Sequence, residues 1–251
     1  MNLKPALTSA TIACLCTLLL SGCESQGSVG KALDSMSGNK TLAQKRLTTA
    51  AAEAIAGGRA DEAVLFYEKL YLKKTHDADV ALNYAQSLRK TGNSQRAVMV
   101  LAPFIEKKSR KFDPIMAIEY ASASVEVGHY DQAMTVTEII LADLKSLDLH
   151  PTAHNIQGIV LDSRDQHKEA EAAYRTALDG WQGDATSVMN NLALCLVSQG
   201  LFDEALTTLR QAQVTSPNRP EIARNIEIVS DLRKSILPTP VTSVKPAKKS
   251  K

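Results

Sequence analysis

Apolar side chains recur every three or four residues along most of the chain, between Thr41 and Ile236. The C-terminal part shows this best, with apolar residues at Leu192, Leu196, Phe202, Ala205, Leu206, Leu209 and Ala212. A period near 3.6 predicts amphipathic helices, since a half-buried strand would alternate apolar and polar residues. The pattern therefore predicts an all-α protein.

One unit of the sequence recurs five times. Each copy has a turn residue, then four residues, then an alanine, and another small residue stands twelve positions before that alanine. The turn residues are Gly58, Gly92, Gly128, Asp165 and Gly200. The alanines are Ala63, Ala97, Ala133, Ala170 and Ala205, spaced by 34, 36, 37 and 35 residues, and the earlier small residues are Ala51, Ala85, Ala121, Gly158 and Ala193.

This unit predicts a pair of closely packed helices. A glycine between them allows the positive φ of a tight turn, and the small residue of the first helix would face the alanine of the second. Pro114 and Pro151 stand where a first helix would begin, a position at which the missing N–H is tolerated.

The repeated unit resembles the tetratricopeptide repeat (TPR). The best match is residues 186–219, with Asn191-Leu192-Ala193, Gln199-Gly200, Asp203-Glu204-Ala205 and Pro217-Asn218 at the family's positions. The second and third copies depart from it, with Gln95-Arg96 and Asp131-Gln132 in place of Asp-Glu. The resemblance implies a right-handed superhelix of about five helix pairs plus a C-terminal capping helix. We place this TPR domain at residues 41–236, with repeats at about 44–77, 78–113, 114–150, 151–185 and 186–219 and the capping helix at 220–236.

The N-terminus departs from the helical pattern. One basic residue, Lys4, precedes an uncharged and mostly apolar run from Ala6 to Leu20. This layout is typical of a secretory signal peptide, and the run is shorter than the roughly 20 residues of a membrane-spanning helix. The signal would end in the sequence Leu20-Ser21-Gly22-Cys23.

That four-residue sequence resembles the lipobox of bacterial lipoproteins. The resemblance implies a signal peptide over residues 1–22, acylation of the Cys23 thiol and cleavage just before Cys23. The alternative is a conventional signal followed by an incidental thiol. Residues 23–40, rich in Gly and Ser, would form a flexible tether. Because Cys14 and Cys16 would leave with the signal, Cys195 would have no partner for an intramolecular disulfide.

The residue after Cys23 bears on the choice of membrane. By resemblance to sorted bacterial lipoproteins, Glu24 is not the Asp that retains such proteins at the inner membrane. We therefore expect a lipid anchor on the periplasmic face of the outer membrane. The tail, residues 237–251, has three prolines and four lysines without periodicity and is predicted to be disordered. It is either a solvated terminus or a basic contact with anionic lipid, cell wall or an acidic partner.

Composition and residue spacing favour neither an enzyme nor a nucleic-acid-binding protein. The net charge is +2 and aromatic residues make up 4% of the chain. His150 and His154 form the closest histidine pair, but Pro151 predicts that His150 lies outside the helix, so we expect no metal site there. Cys195 is predicted to be a buried thiol. We expect no cofactor beyond the covalent lipid on Cys23, no catalytic residue and no small-molecule substrate.

A TPR array offers a groove lined by the first helix of each repeat, where another protein can bind. Position within the repeat selects twelve residues, which we call the candidate groove: Leu82, Gln86, Arg89, Ile118, Ser122, Val125, Asn155, Ile159, Asp162, Asn190, Leu194 and Val197. Its apolar members either contact a partner segment or are shielded between neighbouring helices. Thr48 and Ala52 occupy places where some TPR domains carry the polar residues that grip a C-terminal carboxylate, which argues against such a ligand.

Within the lipoproteins that carry TPR motifs, the chain looks most like the TadD-type lipoproteins of the tight-adherence (Flp) pilus system. The lipobox, the short tether, the size and the stretch "NNLALCLVSQGLFDEALTTLRQA" carry this resemblance. It implies a pilotin-like scaffold that helps an outer-membrane secretin or other pilus component to assemble or localise. The alternatives are a type IV pilus pilotin, an outer-membrane-barrel assembly lipoprotein or an adaptor for cell-wall hydrolases.

Overall fold

The computed structural model of the chain describes residues 28–105 and 113–236. The described residues form eleven α-helices and a 3₁₀ turn at Leu147–Leu149, and they include no strand. The helices are α1 Ser28–Ala56, α2 Ala60–Lys73, α3 Ala78–Lys90, α4 Ser94–Ile105, α5 Pro114–Glu126, α6 Tyr130–Ala142, α7 His150–Asp162, α8 His167–Gly180, α9 Thr186–Ser198, α10 Phe202–Thr215 and α11 Pro220–Ile236. The predicted all-α class is confirmed.

The described residues from position 46 onward belong to one compact unit, and residues 28–45, the first part of α1, belong to the unit before it. In the larger unit, each helix from α2 to α11 packs against the next one along the chain. The first helix of each pair also packs against the first helix of the following pair, from α3 to α5, α7 and α9. These four helices therefore form one continuous row.

The tight turns between paired helices follow the predicted residues. Gly58, Gly92, Gly128 and Gly200 have φ values of 70°, 77°, 79° and 78°, in the left-handed region that glycine enters without a Cβ clash. Asp165 takes the same conformation at φ 59° and is the one non-glycine residue with positive φ in the described parts of the chain. Asp is among the few residue types that visit this region.

The repeated small residues of the helix pairs are buried. The five alanines that follow the turns are fully buried, and so are the four alanines twelve positions earlier. Gly158 differs, because a Cβ added there would lie 2.5 Å from Cε1 of Tyr174. The sequence predicted that Gly158 would face Ala170. In the structure, the side chain nearest to Gly158 is instead the ring of Tyr174.

Buried apolar residues form two clusters along the stack. One cluster contains residues from Ala51 to Val160, and the other contains residues from Ala170 to Val229. The change from one to the other falls within the fourth helix pair. The last helix, α11, buries Ile222 and Val229 and packs against α10, as a capping helix should.

Two local predictions differ from the structure. The tether was expected to reach residue 40, but α1 begins at Ser28, because the stretch after Gly30 is rich enough in Lys, Ala, Leu and Met to extend the helix. His150 was expected outside the helix, but it is the first residue of α7 and follows the 3₁₀ turn directly. Pro151 is thus at a position in the first turn that needs no N–H donor.

Candidate functional site

The structure places every residue of the candidate groove on the row formed by α3, α5, α7 and α9. Eleven of the twelve residues are half-buried, and Leu194 is 41% exposed. Because these helices pack side by side, their outward positions form one surface that continues over four repeats.

Most apolar members of the candidate groove are partly shielded. Leu82, Ile118 and Val125 pack against the first core cluster, and Ile159 and Val197 pack against the second. Leu194 is absent from both cores and keeps the most side-chain surface for a partner. The apolar part of this surface therefore consists of five half-buried aliphatic side chains and Leu194, which is more exposed than they are.

Asparagine side chains connect the fourth repeat to the fifth, and the fifth repeat to the capping helix, in the same manner. Asn191 Nδ2 donates to Asn155 Oδ1 at 3.2 Å, and Asn225 Nδ2 donates to Asn190 Oδ1 at 2.7 Å. Each amide offers two donor hydrogens and two acceptor lone pairs, so one inter-repeat bond leaves further hydrogen-bonding capacity. The candidate groove thus presents oriented amides beside apolar walls.

Arg89 is part of an ion network between the second and third pairs. It donates from Nε and Nη2 to both carboxylate oxygens of Glu119, at 2.6 and 3.2 Å, and from Nη1 to Glu126 at 3.0 Å. Ser94 donates to the other oxygen of Glu126. Burial alone would lower the pKa of Arg89, but Glu119 and Glu126 raise it above its ordinary value. Two carboxylates therefore offset the positive charge of Arg89. The sequence placed Arg89 in the candidate groove but did not indicate these two ion pairs.

Asp162, the last residue of α7, contacts residues that the sequence analysis had not connected. His167 Nδ1 lies 2.5 Å from Asp162 Oδ1, and the Cys195 thiol donates to the His167 carbonyl oxygen at 3.1 Å. Cys195 is fully buried, as predicted. Burial, followed by the charge of Asp162, raises the pKa of the Cys195 thiol to about 12. No local pattern in the sequence indicated this cluster, because Cys195 and His167 meet only where α9 packs beside the turn between α7 and α8.

The histidine pair at the start of α7 has a structural role. His150 Nε2 lies 3.1 Å from the carbonyl oxygen of Ile140 and 3.3 Å from that of Asp143, so it satisfies acceptors at the end of α6. Burial, together with His150, lowers the pKa of His154. His150 therefore connects the start of α7 to the end of α6.

A second concave feature lies outside the candidate groove, among α2, α3 and α4. It has a volume of about 300 Å³, and its lining includes Tyr71, Tyr84, Arg96 and Met99. Arg96 donates to the Tyr84 hydroxyl at 2.6 Å and to Glu68 at 2.7 Å, and its guanidinium carbon lies 5.9 Å from the Tyr84 ring centroid. Contacts among Glu68, Tyr84 and Arg96 therefore hold this part of the lining in place.

Leu20, Ser21, Gly22 and Cys23 of the predicted lipobox, the signal peptide around them and the tail at 237–251 lie outside the described residues. Among the helices that the structure describes, none is both long and apolar enough to cross a membrane.

Comparison with known proteins identifies the repeat. A tetratricopeptide repeat family model matches residues 157–220. A thermophilic TPR protein of Thermus thermophilus is similar over 74% of this chain and 98% of its own, with 18% identity and a TM-score of 0.60. MamA from Desulfovibrio magneticus RS-1 is similar over 70% of this chain and 96% of its own, with 16% identity and a TM-score of 0.53.

A longer structure is also similar. In the APC/C hetero-tetramer Cut9–Hcn1, one chain matches over 75% of this chain and 39% of its own length, with 16% identity and a TM-score of 0.58. No curated protein matches the sequence. Together with the helix pairs, these likenesses show the fold of residues 46–236: a right-handed superhelix of TPR helix pairs closed by a capping helix. Stacked repeats of this kind form extended concave surfaces that repeat proteins use for binding.

Proposed function

We propose that the protein is a lipid-anchored periplasmic scaffold that binds a partner protein through its candidate groove and assists assembly or localisation of a tight-adherence pilus secretin. The observation that carries partner binding is the continuous row of α3, α5, α7 and α9. A surface that runs over four repeats can contact a long segment of another chain, and an isolated pocket cannot.

The chemistry of the candidate groove favours a segment with apolar side chains and accessible hydrogen-bonding groups. Leu194 and the half-buried aliphatic residues provide apolar contact, and the amides of Asn155 and Asn190 provide oriented polar groups. Because Glu119 and Glu126 offset the charge of Arg89, this surface is not a cationic clamp for an acidic ligand. Extended and helical segments both meet these requirements.

The lipobox at residues 20–23 supports the anchoring part of the proposal. Each acyl CH₂ buried in a bilayer contributes about 0.8 kcal/mol, so several acyl chains on Cys23 would hold the protein durably at a membrane. Glu24 favours the outer membrane, by resemblance to sorted lipoproteins. The anchor would then keep the candidate groove close to proteins that insert into the same membrane.

The pilus part of the proposal is supported by the resemblance to TadD-type lipoproteins. A secretin subunit must reach the outer membrane and assemble there, and an anchored scaffold could bind it near its destination. The similar structure of Cut9–Hcn1 is that of a hetero-tetramer, which is an example of this fold in a complex with another protein.

Site-specific photo-cross-linking in the native host tests the proposal. A photoreactive residue at position 194 should give an adduct with the secretin, whereas the same residue at position 201 should not. Leu201 is the matched control for Leu194, because both are leucines and their side chains are 43% and 41% exposed. Leu201 lies in the turn before α10 and outside the candidate groove.

The identity of the adduct separates a pilus role from a barrel-assembly or cell-wall role. Equal adducts at both positions, or adducts at 201 alone, would contradict binding through the candidate groove. An adduct at 194 with a barrel-assembly subunit or a cell-wall hydrolase would keep the scaffold and exclude the pilus. With the partner identified, Leu194→Lys should weaken its binding by about tenfold or more, as expected for loss of an interface hot spot, and Leu201→Lys should not.

A further inference from the structure

The cluster of Asp162, His167 and Cys195 has a composition that partner binding does not explain. One ligand atom from each side chain lies within 4.8 Å of the corresponding atoms of the other two. Within the described residues, this is the one group of three His, Cys, Asp or Glu side chains close enough to share a cation. Its members come from the end of α7, the start of α8 and the middle of α9.

The donor atoms are sulfur, imidazole nitrogen and carboxylate oxygen. This set suits zinc-like ions, whereas Ca²⁺ and Mg²⁺ prefer oxygen ligands alone. In a tetrahedral site with bonds of about 2.0–2.3 Å, ligand atoms are separated by roughly 3.5 Å. The observed separations require adjustments of about 1 Å to reach that geometry, which includes opening the 2.5 Å contact between Asp162 and His167.

We propose that Asp162, His167 and Cys195 bind a divalent zinc-type transition metal ion that links the fourth and fifth helix pairs. On binding, the S–H bond of Cys195 breaks, its proton passes to solvent, and Sγ bonds to the metal. A ring nitrogen of neutral His167 donates its lone pair, and Asp162 binds through its carboxylate. The thiolate and the carboxylate then balance the charge of the ion, and water completes the coordination.

Residues around the cluster restrict its movement. Gln199 Nε2 donates to the His167 carbonyl oxygen at 3.3 Å and to Glu171 at 2.9 Å, which ties the start of α8 to α9. Such surrounding bonds orient metal ligands in proteins. Asp165, the residue with φ 59°, has its Oδ1 atom 3.9 Å from His167 Nε2, so the unusual turn residue also faces the cluster.

The location gives the site a structural purpose. The first core cluster ends in sequence at Val160 and the second begins at Ala170, and the turn between α7 and α8 lies in this interval. A metal bound to α7, α8 and α9 would cross-link the stack where its apolar core is divided. The proposal depends neither on which partner binds nor on which membrane holds the protein, although Asp162 is also a member of the candidate groove.

Cobalt titration of the purified, chelator-treated full chain tests the site. Co²⁺ should give thiolate-to-metal charge-transfer absorbance and the visible bands of a tetrahedral complex, and Zn²⁺ should remove both. Cys195→Ser should lose the charge-transfer band, whereas Cys23→Ala should keep it. Since metal that binds the folded state stabilises it, Zn²⁺ should raise the Tm of the unsubstituted protein by several degrees.

A matched histidine pair separates metal binding from a structural role. His167→Gln should lose the Zn²⁺-dependent rise in Tm, and His154→Gln, which changes a half-buried histidine of the same repeat, should retain it. Melting in the presence of chelator shows whether each variant folds. A titration without a charge-transfer band, an equal band in Cys195→Ser, or an equal Tm rise in both histidine variants would overturn the proposal.

Discussion

At the scale of single residues, Asp184 shows how one side chain can hold two loops. Its carboxylate accepts from the backbone N–H of Thr186 at 2.9 Å, from the Ser216 hydroxyl at 3.0 Å and from Arg219 at 3.1 Å. Its own carbonyl oxygen accepts from the indole of Trp181 at 3.1 Å. The loop before α9 is thereby tied to the loop before α11.

These contacts predict a pH effect on stability. The adjacent Thr186, whose backbone N–H donates to the carboxylate, together with Ser216 and Arg219, holds the pKa of Asp184 well below its usual range. A lowered folded-state pKa adds stability above the unfolded pKa of about 3.9, and this stability is lost as the pH falls through the folded value. Asp184→Asn should therefore have a lower Tm than the unsubstituted protein at neutral pH, and the difference should shrink in acid.

Thermal melting followed by circular dichroism, from neutral pH to about pH 2, measures this difference. Asp179→Asn removes the same charge from an exposed position of α8 and is the control. If the Tm curve of Asp184→Asn runs parallel to that of the unsubstituted protein throughout, the proposed role of the Asp184 carboxylate is wrong.

At the scale of helices, the repeated alanines determine how closely each pair packs. Ala205 is fully buried in α10, and Leu206 and Leu209 beside it belong to the same core cluster. A glutamate at 205 would place an uncompensated charge in this contact. Since a buried unpaired charge costs about 3–5 kcal/mol, Ala205→Glu should unfold at least the last helix pair.

The matched control for Ala205→Glu is Ala172→Glu, which introduces the same side chain at an exposed alanine of α8. Surface substitutions usually change stability by less than about 0.5 kcal/mol, so this variant should melt like the unsubstituted protein. Urea unfolding gives both free energies. Similar curves for the two variants would show that the register assigned to α10 is incorrect.

The tight turns within the helix pairs were the most predictable structural feature. Four glycines, and Asp165 in the fourth pair, mark where the first helix of each pair ends, and their positive φ is a local backbone requirement that the sequence displays. The start of α1 was not predictable in the same way, because Gly and Ser near residue 30 favour a tether while the following residues favour a helix. Where local propensities conflict in this way, neither of them alone predicts where the helix begins.

At the scale of the whole molecule, the proposed localisation depends on Cys23. Cys23→Ala should abolish incorporation of labelled palmitate and leave the precursor uncleaved or mislocalised, while residues 46–236 remain folded, because the substitution lies far from the repeats in sequence. Labelling followed by membrane fractionation measures both effects. Cys195→Ser, which changes a buried thiol outside the lipobox, should still be labelled. Palmitate incorporation that persists in Cys23→Ala would exclude the lipoprotein assignment.

The candidate groove was only partly predictable from sequence. Repeat position was sufficient to place all twelve residues on one row of helices, because the repeat fixes which side of each first helix faces outward. It gave no information on which of them bond to other repeats. Arg89 with Glu119, and Asn155 with Asn191, meet across 30 and 36 residues of sequence.

The sequence by itself determined the helical class, the five turns, the buried alanines and the capping helix. Each of these follows from local geometry: a 3.6-residue period, a positive φ or a small side chain at a close contact. Tertiary structure alone decided that Cys195 lies beside His167, that Tyr174 covers Gly158 and that Arg89 forms ion pairs with Glu119 and Glu126. These contacts depend on the rotation and offset between packed helices, which arise from the sum of many side-chain contacts and leave no local pattern in the sequence.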